Sequence, residues 1–208
     1  GVRFTMKKTI LLSVICVLAL MAACGQPAAK EDQSAQNGQM TISFDYAAQE
    51  GYASNQFAVW VENTDGAVVK TLYATRFAAK GGYEKRPDAI PVWVERSGVA
   101  QMDNVDAITS ATPKSGALQY SWDLTNDAGE RVPNGTYRYF VEGTLRWKNH
   151  VLYTGEITLG GEATSSQASA EYAYVPSDDS PALTDDSPEH SMITNVTAVF
   201  TPPTELPQ

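Results

Sequence analysis

The segment WDLTNDAGERVPNGTYRYFVEG, residues 122–143, joins a tight turn to a strand and indicates the class of the fold. Gly129 and Gly135 suit turn positions that need a positive φ, and Pro133 fixes its own φ at a value that turns use. In the strand that follows, every second side chain is expected to face the protein interior: Tyr137, Tyr139 and Val141. A turn of this kind followed by period-two alternation is typical of antiparallel β-structure.

Other segments have the length and alternation of short strands, and the turn residues Asp65 and Gly66 join two of them into a hairpin. These segments cover residues 40–47, 56–63, 67–75, 117–124, 150–160 and 191–200. Together with the strand after Gly135 they make about seven strands at the spacing of a sandwich. We therefore predict an all-β fold, an antiparallel immunoglobulin-like β-sandwich, for residues 40–208.

Residues 86–99, RPDAIPVWVERSGV, do not alternate in this way. We expect them to form a short helix or an irregular crossover that packs Trp93 onto one open end of the sandwich. The core of the sandwich is expected to include four large side chains, each of which stabilises the fold by roughly 1.5–3 kcal/mol when buried: Trp60, Trp122, Tyr139 and Val141.

Residues 6–24 read MKKTILLSVICVLALMAAC, so that two lysines precede an apolar run and then small residues. This order is typical of a secretory signal peptide, and the length and flanks of the run do not suit a membrane span. We therefore predict a signal peptide at residues 1–23, of which residues 1–5 are an upstream extension. The mature chain is expected on the extracytoplasmic side.

Residues 20–23, LMAA, precede Cys24 and resemble the lipobox of bacterial lipoproteins. The resemblance implies cleavage before Cys24 and lipidation of that residue, so that residues 24–39 form a flexible tether to the membrane. Cys16 lies in the removed run, which leaves the mature chain with one cysteine and no internal disulfide. The alternative is a conventional signal that is cleaved nearby.

The charge of the chain makes nucleic acid an unsuitable partner, and its composition distinguishes one acidic segment, residues 162–191. Of 15 basic and 24 acidic residues, the signal peptide contains three basic and no acidic ones, so the mature net charge is −12. Such a surface disfavours nucleic acid. Residues 162–191 are rich in Ser, Asp and Pro and are predicted to form a long solvated, partly disordered insertion before the last strand. The two Asp-Asp pairs of this insertion could alternatively meet calcium.

Residues that usually carry catalysis are scarce. The two histidines are His150, on a predicted strand, and His190, in the acidic insertion, and no cysteine is left for a thiolate or a metal cluster. Asp123, Asn126 and Asp127 lack the spacing of a calcium loop and are expected to form a turn bonded to its own backbone. We predict that the protein is not an enzyme and has no metal site.

Two resemblances cover the middle of the chain. Residues 122–143 resemble the strand-turn-strand unit of the immunoglobulin-like repeats in flagellar hook-capping proteins and many secreted bacterial proteins, a likeness of fold rather than function. Residues 56–160 resemble the periplasmic family listed as domain of unknown function 2271. The elements that carry this second likeness are FAVWVENTDGAVVKTLYAT, Trp93, VDAITSATPKSG, Trp122 and VPNGTYRYFVEG. It implies an exported protein associated with flavin-dependent electron transfer outside the cytoplasm.

The segment VDAITSATPKSG, residues 105–116, resembles the acceptor sequence of proteins that an exported flavin transferase modifies covalently. In that sequence an aspartate is followed at a fixed distance by Ser/Thr-Gly-Ala-Thr. The matching positions are Asp106, Thr109, Ser110 in place of the glycine, Ala111 and the acceptor Thr112. The resemblance implies flavin mononucleotide (FMN) as a phosphoester on Thr112, with a flavin transferase and redox proteins as partners. The other interpretation is a hydrophilic connection between strands.

Three functions of different classes stay open from the sequence. The first is a membrane-tethered lipoprotein that carries or serves a flavin in electron transfer. The second is a non-catalytic binding module that recognises a protein or a glycan through the loops of the sandwich. The third is a structural spacer.

Overall fold

The computed structural model describes residues 38–50, 55–146, 148–174, 183–184 and 186–204. Several predicted features lie outside these residues: the signal peptide, the predicted lipidation site Cys24, all but the end of the predicted tether, and part of the acidic insertion. None of the described helices is long and apolar enough to cross a membrane.

In the part of the chain that the structure describes, ten strands form two sheets that pack against each other as a sandwich. The strands are β1 Gln39–Tyr46, β2 Gln56–Glu62, β3 Val68–Thr75, β4 Thr109–Ser110, β5 Gly116–Trp122, β6 Gly135–Thr144, β7 His150–Leu159, β8 Thr164–Gln167, β9 Ser169–Ala173 and β10 Ile193–Thr201. One sheet has the order β5-β1-β10-β8 and the other the order β4-β3-β2-β6-β7-β9. The predicted antiparallel immunoglobulin-like sandwich is confirmed, except that β3 and the short β4 pair in parallel.

Short helices connect β3 to β5. They are α1 Tyr83–Lys85, α2 Pro91–Ser97 and α3 Val105–Ile108, with a wide helical turn at Ala78–Gly82 and a 3₁₀ turn at Val99–Gln101. Helix α2 starts at a proline, whose missing N–H costs nothing in the first turn, and ends at Gly98 with a φ of 61°. Of the two alternatives for residues 86–99, a short helix or an irregular crossover, the structure has the short helix.

The core between the sheets follows the predicted alternation of β6. Trp122, Tyr139 and Val141 are at most 1 % exposed and belong to this inner core, as predicted. The Tyr137 hydroxyl donates to the carbonyl oxygen of Pro133 at 2.8 Å, the tyrosine corner typical of immunoglobulin-like sandwiches. Tyr139 crosses over Gly155, its partner in β7, where any Cβ atom would collide with the tyrosine ring.

A second group of buried side chains covers the outer face of the larger sheet. This outer cluster consists of Ala58, Trp60, Ala74, Ala78, Ala79, Ile90, Trp93, Val99 and Phe140. Trp60 is buried in the core, as predicted, but it belongs to this outer cluster rather than to the core between the sheets. The placement of Trp93 at an open end of the sandwich is wrong. Both positions have one cause: the segment between β3 and β5 folds over β2 and β6 and buries these strands on both faces.

The acidic insertion is more ordered than predicted. Its first part forms two strands: β8 pairs with β10 at the edge of one sheet, and β9 pairs with β7 at the edge of the other. The side chains of both strands are mostly exposed, so composition alone favoured a solvated loop. Backbone hydrogen bonding to an existing edge is enough to order such polar residues, and it does not require buried side chains.

Candidate functional site

The segment 105–116, which resembles a flavin acceptor, links the edges of the two sheets. It begins with α3, and β4 then pairs Thr109 with Ala74 and Ser110 with Thr75 on β3 of the six-stranded sheet. The chain next runs to Gly116, the first residue of β5 in the four-stranded sheet. The backbone N–H of Ala48 donates to the Ser115 hydroxyl at 2.9 Å and holds the far end of the segment. The segment is thus fixed at both ends, with a short stretch without regular secondary structure between.

The structure brings the residues of the predicted acceptor sequence to one surface. Asp106, Ser110, Ala111 and Thr112 are exposed, and Thr109 is half-buried. The Thr112 hydroxyl makes no hydrogen bond to another described residue. Ser110, which replaces the glycine of the acceptor sequence, has an ordinary extended backbone as part of β4 and no positive φ. The folded chain therefore does not need a glycine at that position.

An ion pair holds Asp106 at this surface and favours its ionised form. Its carboxylate forms an ion pair with Lys80, which belongs to the wide helical turn after β3. The hydrogen bond from Lys80 and the charges of Lys80 and Arg76 lower the pKa of Asp106 below its ordinary value. Both side chains of the pair are largely open to water, so the pair orients α3 more than it stabilises the fold.

An aromatic cluster lies directly under the acceptor segment. It consists of Phe44, Tyr46, Phe57, Tyr73 and Tyr120, with ring centroids 4.7–6.3 Å apart. The Tyr73 hydroxyl lies 3.5 Å from the carbonyl oxygen of Ala111 and is therefore at the base of the acceptor stretch. Burial raises the pKa of Tyr46 to about 12, so these phenols stay neutral at physiological pH. The alternation of β1 and β5 places Phe44, Tyr46 and Tyr120 inward, but sequence reasoning did not connect these rings with segment 105–116.

A cavity of about 850 Å³ opens between the free edges of β3 and β5. Its walls come from residues 70–72 of β3, the 3₁₀ turn, α3, residues 121–123 and Asp127. The hairpin of β2 and β3 is irregular here: Tyr73 pairs with Val59 and Thr71 with Trp60, which leaves Leu72 as an extra residue in a β-bulge. Bulges at sheet edges bend the strand and redirect side chains, often beside functional sites. Sequence reasoning missed this cavity because its walls come from five separate parts of the chain.

Two buried carboxylates attach the crossover that carries one wall of this cavity. Glu142 on β6 accepts the backbone N–H groups of Val92 and Trp93 at 3.1 and 2.7 Å. Glu62 on β2 accepts the Trp60 Nε1–H at 2.8 Å and pairs with Arg96 at 3.1 Å. Burial has the largest effect on the Glu142 carboxyl and raises its pKa to about 7. The two backbone donors and the charge of Arg96 act in the opposite direction and lower the pKa. These contacts position α2 over the larger sheet.

The remaining candidate residues do not assemble into a catalytic or metal site. His150 is half-buried and burial lowers its pKa, while His190 stacks on Tyr172 at 4.2 Å between ring centroids. Asp123 accepts hydrogen bonds from Thr125, and the Asn126 side chain accepts from two backbone N–H groups of the same turn, as predicted. Within the described part of the chain, no group of three or more His, Cys, Asp or Glu residues is arranged to hold a metal ion.

Comparisons with known proteins assign the family. A search of curated proteins and a search of solved structures each found no match to the chain. Residues 37–174 match the family model described as predicted periplasmic protein, domain of unknown function 2271. The matched range includes β1 to β9 and the whole acceptor segment, and it confirms the resemblance seen in the sequence. The chain therefore belongs to this family of predicted periplasmic proteins and is an extracytoplasmic protein.

Proposed function

We propose that the protein is a membrane-tethered extracytoplasmic module that receives FMN on Thr112 and takes part in electron transfer. The observation that carries this proposal is the exposed Thr112 hydroxyl, which makes no hydrogen bond within the described chain and lies on a short irregular stretch fixed at both ends. A transferase must enclose its acceptor residue, and a short exposed stretch of this kind is accessible to a partner cleft. The sequence match is the reason to interpret this exposed hydroxyl as a flavin acceptor. The matching residues are Asp106, Thr109, Ala111 and Thr112.

The residues present fit the attachment of FMN. The Thr112 oxygen would attack the FMN-side phosphorus of flavin adenine dinucleotide, forming a new P–O bond while the bond from that phosphorus to the bridging oxygen breaks and adenosine monophosphate leaves. A base of the transferase takes the hydroxyl proton, and a metal ion of the transferase stabilises the departing phosphate. This chain contributes the nucleophile and the surface that presents it. When bound, the flavin supplies the redox chemistry.

Covalent attachment has a physical advantage outside the cytoplasm. A flavin held with a micromolar dissociation constant, about −8 kcal/mol, dissociates almost entirely when the surrounding flavin is nanomolar. A phosphoester removes this loss. The scarcity of catalytic residues in the described chain agrees with a module that carries a cofactor and depends on partners for the rest of the reaction.

Replacing Thr112 with valine should abolish FMN addition completely. The wild-type protein, co-expressed with an exported flavin transferase, should gain one FMN on the peptide that contains DAITSATPK, as measured by mass spectrometry. The fold should be unchanged, because the exposed Thr112 hydroxyl makes no hydrogen bond within the described chain that valine would break. Thr158→Val, at an exposed threonine on β7, is the matched control and should be modified like wild type.

Two further variants separate the reasons for a negative result. Asp106→Ala should impair the addition, and Ser110→Gly should raise the yield if the transferase requires the small, flexible residue. If Ser110→Gly is labelled and wild type is not, the segment is an acceptor that has lost its function. If neither is labelled while a known acceptor protein is, the stretch is only a connection between strands and the proposal fails.

The membrane tether is the second part of the proposal and rests on the residues before Cys24. Replacing Cys24 with serine should prevent incorporation of labelled fatty acid and move the protein from the membrane fraction to the soluble fraction. The loss of several acyl chains, at about 0.8 kcal/mol for each buried methylene, explains the size of this shift. Full retention of the serine variant in membranes would argue against lipid anchoring.

A further inference from the structure

We propose that the cavity between the free edges of β3 and β5 binds the isoalloxazine ring of a flavin, which in the loaded protein is the flavin held by Thr112. The inference deepens the proposed function and rests on it for the identity of the ligand. The cavity volume of about 850 Å³ lies within the roughly 300–1,000 Å³ that is usual for small-molecule sites.

The acceptor residue and the cavity belong to the same short segment of chain. Ala107 and Ile108 of α3 line the cavity, and Thr112 follows Ile108 by four residues. Four residues span at most about 14 Å even when fully extended. The ribityl phosphate chain of FMN adds its own length to this reach. A flavin on Thr112 is therefore tethered within reach of the cavity and is present there at a high effective concentration.

The lining of the cavity suits a flat ring with apolar faces and polar edges. Leu72, Met102, Ile108 and Trp122 supply apolar surface, while Gln101 and Asn104 supply amide groups that can both donate and accept hydrogen bonds. Flavin rings need this combination, because the ring faces are apolar and the pyrimidine edge carries nitrogen and oxygen atoms.

The charges near the cavity favour the ring inside and the phosphate outside. Asp103, Asp123 and Asp127 line the cavity against a single cation, Lys70, which is already engaged with the carbonyl oxygen of Asn126 at 2.9 Å. A phosphate group inside would meet this excess of negative charge, whereas the oxidised isoalloxazine ring is neutral. At segment 105–116 positive charges are closer, because Lys80 and Arg76 both lie near Asp106.

The walls are held in place by contacts in the outer cluster. The Trp93 indole N–H donates to the Thr71 hydroxyl at 3.2 Å and joins the crossover to the β3 edge. Glu142 binds the first turn of α2 through two backbone N–H groups, and Ser97 and Gly98 at the other end of this helix line the cavity. A preformed cavity of this kind costs little to order when a ligand enters.

The test uses the unmodified protein and riboflavin, which has the ring and the ribityl chain but no phosphate. Wild type should bind riboflavin, as measured by fluorescence anisotropy, and should bind it more tightly than flavin adenine dinucleotide. Ala107→Trp, which fills the cavity, should weaken riboflavin binding at least tenfold. Ala100→Trp is the matched control, at an exposed alanine of the neighbouring 3₁₀ turn outside the lining, and should leave binding unchanged. Circular dichroism should show that both variants are folded.

The outcomes separate this inference from the proposed function. If wild type does not bind riboflavin, or if Ala107→Trp binds it as tightly as wild type, the cavity is not the ring site, whatever happens at Thr112. If riboflavin binding is lost only in Ala107→Trp, the cavity is the ring site even where mass spectrometry finds no FMN on Thr112. Tighter binding of flavin adenine dinucleotide than of riboflavin would overturn the assignment of the phosphate to the outside.

Discussion

Replacing Trp60 with alanine is expected to lower the free energy of unfolding by about 3–5 kcal/mol, as truncation of a buried tryptophan usually does. Trp60 is fully buried, and its ring stacks on Phe140 with 5.0 Å between centroids. Its indole N–H also donates to the buried carboxylate of Glu62. The alanine variant therefore leaves a cavity in the outer cluster and a carboxylate with one donor fewer, and both effects destabilise the fold.

Urea unfolding followed by far-ultraviolet circular dichroism measures this change, since tryptophan fluorescence would itself be altered by the substitution. Trp60→Phe is the matched control, because it keeps an aromatic ring over Phe140 and removes only the indole N–H and some volume. We expect it to lose a smaller part of the stability. A loss below about 1 kcal/mol in the alanine variant would mean that the outer cluster is not packed in solution.

The stability of the protein should fall as the pH rises from about 4.5 to about 7, through Glu142. Burial raises the pKa of this carboxyl from 4.5 to about 7 in the folded protein, so between these values the folded state binds more protons than the unfolded state. The contribution of Glu142 to stability is therefore complete below pH 4.5 and is lost as the pH rises through 7. At 1.36 kcal/mol for each pKa unit, its size is at most about 3 kcal/mol.

Glu142→Gln isolates this contribution, because glutamine has nearly the same shape and no titration. Unfolding free energies measured at several pH values between 4.5 and 7.5 should show a smaller slope in the variant than in wild type. The difference between the two proteins removes the contribution of other titrating groups such as His150, whose pKa burial lowers. Equal slopes would mean that Glu142 ionises in the folded protein as it does in water.

The sequence predicts the sandwich well because the patterns that indicate strands and turns involve residues close together in the chain. The alternation of β6 and the turn before it depend on neighbouring residues, and so does the hairpin of β2 and β3. The location of Trp60 and Trp93 depends instead on contacts between segments that are far apart in the chain. Every residue of β2 after Gln56 is buried, so its pattern does not identify which face lies between the sheets. That face is defined only when the crossover folds back over the sheet.

In the candidate site too, features formed by residues close together in the chain could be predicted, and features formed by distant residues could not. The residues of the acceptor sequence are adjacent in the chain, so Asp106 and Thr112 could be named from their order alone. The aromatic cluster and the cavity are formed by residues far apart in sequence, such as Leu72 and Trp122, and they depend on how the two sheet edges meet. The sequence did not predict that β8 and β9 form strands, for a related reason. These strands are stabilised by pairing with β10 and β7, and their own composition does not indicate strands.

The first and last described strands pair along almost their whole length, from Gln39 opposite Thr201 to Tyr46 opposite Ile193. β1 is also the only described partner that joins β5 to the rest of its sheet. A chain that is translocated from its amino terminus therefore cannot complete the four-stranded sheet until β10 has emerged. Closing so long a loop is slow, and the apolar residues of β1 stay accessible to chaperones in the meantime. The topology thus makes completion of the four-stranded sheet a late step in folding, which must wait for β10.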